Sequence, residues 1–167
     1  MNYLDQNKYD DLFFEADQMI ADKNFGGAIS NLEAIIAEAP EFGKAYNHLG
    51  WIQETKFKDY TKAEELYKLC LKYSPNYTPI YLNLSILLCT LGKFDEQKQL
   101  LEKAMLVPGI DKAAMSNELA LMFEMQGDYA NAITNLKNAV RFSLNDNSIE
   151  IYSKSMERCK KKMDLLK

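Results

Sequence analysis

An aromatic residue recurs along the chain at spacings of 35, 34 and 35 residues, and this period constrains the fold more than any other feature of the sequence. The four aromatic residues are Phe25, Tyr60, Phe94 and Tyr129. Three residues after them come, in the same order, Ala28, Ala63, Gln97 and Ala132. Self-similarity at a fixed period of this length indicates an array of short units that stack on one another.

Each unit contains two segments with the spacing of an amphipathic helix. In the second unit, Tyr46 and Leu49 share one face of a first helix, and Ala63 and Tyr67 share one face of a second. Small residues recur in the first helix, where two antiparallel helices must approach closely. They are Ala16, Gly50, Ser85 and Ala120. Prolines at positions 40, 75 and 108 end the second helix, because proline lacks an N–H. We predict helix pairs near residues 9–39, 42–73, 78–106 and 111–143.

A ninth helix is predicted near residues 147–165. Asn147 and Glu150 have the spacing of a helix N-cap. An apolar stripe follows, formed by Ile149, Tyr152, Met156, Cys159 and Met163, and the opposite face carries Lys154, Arg158, Lys161 and Lys162. This pattern favours a capping helix, apolar towards the last repeat and polar towards water. The basic face leaves a membrane-surface helix as the alternative.

The chain resembles the tetratricopeptide repeat (TPR) family. The second unit matches the family pattern best, through Tyr46, Leu49, Gly50, Ala63, Tyr67 and Pro75. Other units depart from it, with Glu15 in place of leucine, Gln97 in place of a small residue, and no closing proline in the fourth. The resemblance implies an all-α fold, a right-handed α-solenoid of four TPR helix pairs with a C-terminal capping helix.

The same resemblance implies a single TPR domain over residues 9–167. Its repeats are expected at about 9–41, 42–76, 77–110 and 111–145, with the capping helix at about 147–165. Residues 1–8 form an N-terminal extension that could be disordered.

Charge and composition exclude several classes of partner and location. The net charge is −4, which argues against a nucleic-acid partner because phosphate binding needs a basic surface. The longest apolar run, Ile80 to Leu91, is too short to span a bilayer and contains Asn83, so we expect no membrane partner. The N-terminus lacks the pattern of a signal peptide, and three cysteines without a paired spacing suggest reduced thiols. We therefore expect a cytoplasmic protein.

Residues with catalytic or metal-binding chemistry are sparse. His48 is the one histidine, and no cysteine or carboxylate lies beside it at zinc-ligand spacing. A nucleophilic pair of His48 with Cys70 or Cys89 is conceivable, but a surface histidine beside packed cysteines is the favoured interpretation. We expect no enzyme activity, no catalytic residue, no metal site and no cofactor.

Partner binding is expected on the first helices of the pairs, which line the concave face in proteins that this chain resembles. The candidate peptide-binding residues are Phe13, Asp17, Lys44, Asn47, Trp51, Leu82, Asn83, Ile86, Asn117, Leu121 and Met125. Asn47, Asn83 and Asn117 recur down successive units and could hydrogen-bond the backbone of an extended peptide. Trp51 could either anchor a ligand or pack between repeats. The basic residues with which some TPR domains clamp a chaperone's C-terminal carboxylate are missing, which argues against that role.

The predicted function is that of an adaptor that binds a peptide or protein segment in the groove of the array. One alternative is a self-assembling structural module, because residues 1–41 hold nine acidic and two basic side chains, whereas residues 154–167 hold six basic and two acidic ones. Such ends could associate weakly, head to tail. A TPR-type secretion chaperone is a further alternative, and the identity of the partner is not encoded in these patterns.

Overall fold

The computed structural model describes residues 3–166, with side chains from residue 8 onward. Within residues 3–166 it contains nine α-helices and no strand. The helices are α1 Tyr3–Ala21, α2 Phe25–Glu38, α3 Gly43–Ile52, α4 Tyr60–Tyr73, α5 Pro79–Thr90, α6 Phe94–Ala104, α7 Lys112–Met125, α8 Tyr129–Phe142 and α9 Asp146–Leu165. A π-helical turn, Gln53–Phe57, continues α3. The all-α prediction is confirmed.

Two compact units divide the chain within α5. The N-terminal unit ends at Asn83, and the C-terminal unit begins at Leu84. In the N-terminal unit α1 packs against α2, α3 packs against α4, and α2 also contacts α3. In the C-terminal unit α7 packs against α8, α8 against α9, and α6 against α7. A single domain over residues 9–167 stays a prediction.

Helix ends lie close to the positions that the sequence predicts, with two differences. The first helix begins at Tyr3, several residues before the expected start near residue 9 and inside the expected N-terminal extension. The N-cap of α9 is Asn145, whose side chain accepts a hydrogen bond from the Ser148 N–H at 2.9 Å. The prediction of an N-cap at Asn147 is therefore wrong, because Asn145 has the same capping chemistry and lies two residues earlier.

A close helix approach in the N-terminal unit lies between α3 and α4. A Cβ atom added to Gly50 would lie 2.6 Å from two ring carbons of Tyr67 and 3.3 Å from the Ala63 carbonyl oxygen. Both Ala63 and Tyr67 are completely buried. The Tyr67 hydroxyl donates a hydrogen bond of 2.7 Å to Glu54 in the π-helical turn, so the ring is fixed at both ends. Small residues at positions 50 and 63 therefore make room for this ring, as predicted.

Two tyrosines tie the first helix of a repeat to the loop before it. The Tyr46 hydroxyl donates to the Pro40 carbonyl at 2.9 Å, and the Tyr81 hydroxyl donates to the Pro75 carbonyl at 2.8 Å. Each pair is six residues apart, so the hydrogen bond closes the turn that proline begins. The repeated aromatic position thus supplies a polar tip as well as a ring.

The C-terminal unit accommodates Gln97, which replaces the expected small residue, through a polar partner. Gln97 is completely buried, and its Nε2 donates a hydrogen bond to the Ser85 hydroxyl at 3.1 Å. Ser85 stands at the small-residue position of the facing helix, so the two departures from alanine or glycine compensate for each other. The Gln97 Oε1 atom has no hydrogen-bond partner among the described residues.

The last helix caps the C-terminal unit with the apolar stripe that the sequence predicts. Cys159 is completely buried in a cluster with Ala120, Ala132 and Leu136, and Tyr152 and Met156 of α9 pack against that cluster. The placement of the whole basic face towards water needs a correction. Its residues Arg158 and Lys162 bind Glu124 on α7, which is described below.

Candidate peptide-binding cleft

A cleft of about 330 Å³ opens in the N-terminal unit, where α1, α3 and the first turns of α5 meet. Its walls are formed by Asp17, Ile20, Asn47, His48, Trp51, Tyr77, Pro79 and Asn83. Four of the predicted binding residues therefore lie together: Asp17, Asn47, Trp51 and Asn83. An aromatic ring, two amides and a carboxylate converge here, which is the composition of a site with an apolar body and a few oriented polar groups.

The two asparagines of the cleft are bonded to each other. Asn83 Nδ2 donates to Asn47 Oδ1 at 3.0 Å, and Asn47 is only 4% exposed. The sequence predicts that both amides reach a ligand, whereas the structure makes Asn47 the buried support of Asn83. Asn83 is half-buried and retains a second N–H and a carbonyl oxygen beyond this bond. Asn83 is therefore the better placed of the two to bond a peptide backbone.

Trp51 has a dual position. It is half-buried and packs against the core cluster of the N-terminal unit, whose fully buried members include Leu32 and Ile35. It also forms part of the cleft wall. The Lys56 ammonium group lies 5.1 Å from its ring centroid and 4.7 Å from that of Phe25, which gives two cation–π contacts. Packing and a role in binding are thus compatible for this side chain.

A carboxylate–imidazole contact and a ring contact join α1 to α3 at the cleft. His48 Nε2 lies 3.2 Å from Asp17 Oδ1, and His48 Nδ1 lies 3.3 Å from the Lys44 carbonyl oxygen. Carboxylate and carbonyl oxygens both accept, so the two bonds coexist only when both ring nitrogens carry a proton. The Asp17 side chain is 57% exposed. Sequence reasoning missed this pair because its members are 31 residues apart.

Three other predicted residues of the N-terminal unit lie outside the cleft wall. Phe13 packs edge-on against His48, with ring centroids 4.5 Å apart, and against Phe42 at 5.7 Å. Lys44 borders a neighbouring depression with Tyr73 and places its ammonium group 5.9 Å from the Phe42 ring centroid. Leu82 is half-buried. Their part in binding stays a prediction.

The C-terminal unit holds the remaining four predicted residues, two of which line a smaller cleft. Asn117 and Leu121 line a cavity of about 150 Å³ together with Ile151 and Arg158 of α9. Ile86 and Met125 are exposed, and the Met125 sulfur lies 3.2 Å from the Cys89 sulfur. Of the four predicted residues in this unit, three are apolar and one, Asn117, is polar.

An ion cluster around the buried carboxylate of Glu124 fastens α9 to α7 beside this smaller cleft. Arg158 donates two hydrogen bonds to the Glu124 carboxylate, at 2.8 and 2.7 Å, and the Lys162 ammonium donates a third at 2.8 Å. The hydrogen bonds from Arg158, opposed by burial and reinforced by Lys162, lower the pKa of Glu124 to about 2. Glu124 is therefore ionised, and its carboxylate is held by two side chains of α9.

The cysteines are unsuited to nucleophilic chemistry. Cys70, Cys89 and Cys159 are buried free thiols. Burial raises the pKa of Cys70 to about 12 and also raises those of Cys89 and Cys159. A nucleophilic cysteine needs the thiolate form, which these environments disfavour.

The described part of the chain has neither a metal-ligand cluster nor a membrane-spanning helix. Among those residues, no group of three or more His, Cys, Asp or Glu side chains could hold a metal ion. No helix in the same range has the length and apolarity needed to cross a bilayer.

Tandem antiparallel helix pairs with small residues at the crossings define a class of helical-repeat proteins. The family model of the tetratricopeptide repeat matches residues 43–77, which is the second helix pair. Comparison with curated protein sequences gives no match. The predicted resemblance to tetratricopeptide repeats is confirmed: the chain has the tetratricopeptide-repeat fold.

Three solved structures illustrate the similarity. PilF of Pseudomonas aeruginosa is 17% identical, with a TM-score of 0.80 over 96% of this chain and 75% of that one. MamA of strain RS-1, solved as a double mutant, is 15% identical, with a TM-score of 0.75 over 94% of this chain and 85% of that one. A thermophilic TPR protein of Thermus thermophilus is 18% identical, with a TM-score of 0.65 over 87% of this chain and 79% of that one. At such identities the similarity establishes the fold.

Proposed function

We propose that this protein is a non-catalytic adaptor that binds an extended segment of a partner protein in the cleft of its N-terminal unit. The observation that carries the proposal is the convergence of Trp51 and Asn83 in one cleft of about 330 Å³. Scaffolding of protein–protein contacts is the general use of the TPR fold, and concave surfaces of stacked helix pairs serve it.

In this proposal Trp51 supplies most of the affinity for the segment, and Asn83 fixes the register of its backbone. An indole that forms a wall of a cleft offers a rigid apolar surface to one side chain of the segment. The Asn83 amide beside it offers a donor and an acceptor to the segment's backbone, which otherwise loses its hydrogen bonds to water on burial. An extended backbone presents such groups at regular intervals, so one amide is enough to fix the register.

The self-assembly alternative is weakened by the C-terminal helix. Three of the six basic side chains in residues 154–167 have partners within the same unit, because Lys154 pairs with Glu150, and Arg158 and Lys162 pair with Glu124. Fewer cations therefore remain to attract the acidic residues 1–41 of another copy. A secretion chaperone would be a special case of the adaptor and would use the same cleft. The proposal includes a cytoplasmic location, supported by the buried free thiols.

The test is a binding measurement on a partner first recovered by pull-down with the purified protein. Calorimetry would compare the wild type with Trp51→Ala and with Phe57→Ala, which removes an exposed aromatic side chain from the π-helical turn of the same unit. We expect Trp51→Ala to weaken binding by about 2 kcal/mol and Phe57→Ala to change it little.

A second variant separates loss of binding from loss of folding, because Trp51 also packs against the core. Asn83→Ala removes a half-buried amide and leaves Asn47 Oδ1 without its donor, so it should lower affinity and cost about 1–3 kcal/mol of stability, which the circular dichroism melting curve measures separately. Equal affinity for the wild type and for both folded variants would move the binding surface away from this cleft.

A further inference from the structure

Asp17 gives the cleft of the N-terminal unit a definite charge preference. Asp17 is the one carboxylate among the eight described residues of the cleft wall, and the His48 ring is the one group of that wall that could pair with it as a cation. Its carboxylate is more than half exposed, and Oδ1 contacts His48 at 3.2 Å. A ligand in the cleft therefore meets a carboxylate, and an anionic group placed there would be repelled.

The surroundings of Asp17 extend this preference along α1. Asp10 lies seven residues earlier, on the same face of the helix, and is exposed. The first 41 residues together hold nine acidic and two basic side chains. An acidic field of this kind accelerates the approach of a basic segment and becomes weaker as salt is added.

The cations near the cleft determine where a basic side chain would lie. Lys56 already occupies the neighbourhood of the Trp51 ring, at 5.1 Å from its centroid, so a second cation there would meet like charge. Ile20 forms part of the cleft wall together with Asp17, and its apolar side chain suits the methylene groups of lysine or arginine. The apolar side chain of a ligand therefore belongs at Trp51 and the basic one at Asp17.

We infer that the partner segment bound in this cleft carries a lysine or arginine that pairs with Asp17, next to an apolar side chain that contacts Trp51. This inference rests on the proposed function and specifies the chemistry of the partner. The basic group would share or replace the histidine contact of Asp17. A charge-assisted hydrogen bond in a partly enclosed site is strong enough to decide which segments bind.

The test starts from a phage-displayed library of random dodecapeptides selected on the wild-type protein, and each selected peptide is also titrated against Trp51→Ala by calorimetry. Selected peptides are synthesised and titrated by intrinsic fluorescence, because Trp51 is the one tryptophan of the chain and lies in the cleft wall. Each peptide is compared with a copy in which its basic residue is replaced by glutamine. The proteins are the wild type, Asp17→Asn and Asp11→Asn, the last of which removes an exposed carboxylate from another face of α1.

We expect the selected peptides to share a lysine or arginine, and its replacement to weaken binding to the wild type and to Asp11→Asn by about tenfold. The same replacement should change binding to Asp17→Asn by less than about twofold. Selected peptides without a basic residue, or an equal loss with Asp17→Asn, would overturn the inference while leaving the adaptor function intact. Peptides that bind Trp51→Ala as well as the wild type would instead overturn the proposed cleft itself.

Discussion

Gly50→Ala tests the packing that defines the second repeat. The added methyl carbon would lie 2.6 Å from two ring carbons of Tyr67, whereas favourable carbon–carbon contacts lie at about 3.5–4.0 Å. Tyr67 cannot withdraw easily, because it is fully buried and its hydroxyl is bonded to Glu54. Overpacking of this kind costs about 1–3 kcal/mol, and we expect the upper end here.

The helix propensity of alanine offsets part of that cost. Alanine is favoured over glycine by about 1 kcal/mol inside a helix, so the net destabilisation should be about 2 kcal/mol. Urea unfolding followed by Trp51 fluorescence and by circular dichroism at 222 nm would measure it. Gly26→Ala is the matched control, because nothing lies within 4 Å of a Cβ atom added there. The control should be neutral or stabilising.

A double-mutant cycle tests whether contact with the Tyr67 ring causes the destabilisation by Gly50→Ala. In a Tyr67→Leu background the ring is gone, so adding Gly50→Ala should cost much less than it does in the wild type. Equal costs in both backgrounds, or a Gly50→Ala midpoint equal to that of the wild type, would refute the close approach of α3 and α4 at this glycine.

Four further predictions concern packing, charge and assembly. Ala63→Leu should cost about 1–3 kcal/mol in urea unfolding, because Ala63 is completely buried at the same helix crossing, and an unchanged midpoint would contradict the assignment. Burial raises the pKa of Glu118, whose Oε2 has no partner among the described residues, so ionisation of Glu118 above its unfolded-state pKa opposes folding. Glu118→Gln should therefore raise the urea midpoint at pH 7 and change it little near pH 4. A lower urea midpoint at pH 7 would contradict this reasoning. The pKa of Glu124 is lowered to about 2, so its contribution to folding stability is complete above the unfolded-state pKa near 4.5 and is lost as the pH falls towards 2. Because Arg158 and Lys162 are half-exposed, Glu124→Gln should cost about 1–2 kcal/mol at pH 7. The same substitution should make stability depend less on pH between about 4.5 and 2. If the acidic and basic ends associate, sedimentation should detect oligomers at low salt that dissociate as salt is added, and a monomer at low salt and high concentration would exclude the alternative.

The fold could be predicted from the sequence because each repeat carries the same pattern of small and large packing residues. A period of 34–35 residues, with small residues such as Gly50 and Ala63 opposite a large one such as Tyr67, places the helices to within a few residues over most of the chain. Local capping was less predictable, since Asn145 and Asn147 both have a side chain that can cap α9.

The polar contacts of the candidate site were harder to predict, because helical periodicity assigns a residue to a face but not to a partner. Arg158 and Lys162 share the basic face of α9, yet their carboxylate, Glu124, lies 34 and 38 residues away in sequence. The contact between Asn47 and Asn83 carried a readable signal, since residues about one period apart in stacked repeats are neighbours.

Phe13 shows a different limit of sequence reasoning. The sequence predicts it on the binding face, because helical periodicity takes no account of the loop before α3. Phe42 from that loop packs against Phe13, and a side chain held in this way has less surface available to a ligand. Connecting residues outside the repeat pattern therefore decide which positions of the face stay open.

Nuclear magnetic resonance of the nitrogen-15-labelled protein tests the central claim most directly. Trp51 gives the one indole N–H signal of the chain, and the side-chain amides of Asn47 and Asn83 give pairs of signals from the same cleft. On titration with a selected peptide, we predict that these signals shift together and saturate at the affinity measured by fluorescence. Shifts that saturate equally well elsewhere but leave Trp51 and Asn83 unchanged would contradict the claim and place the binding surface on another part of the protein.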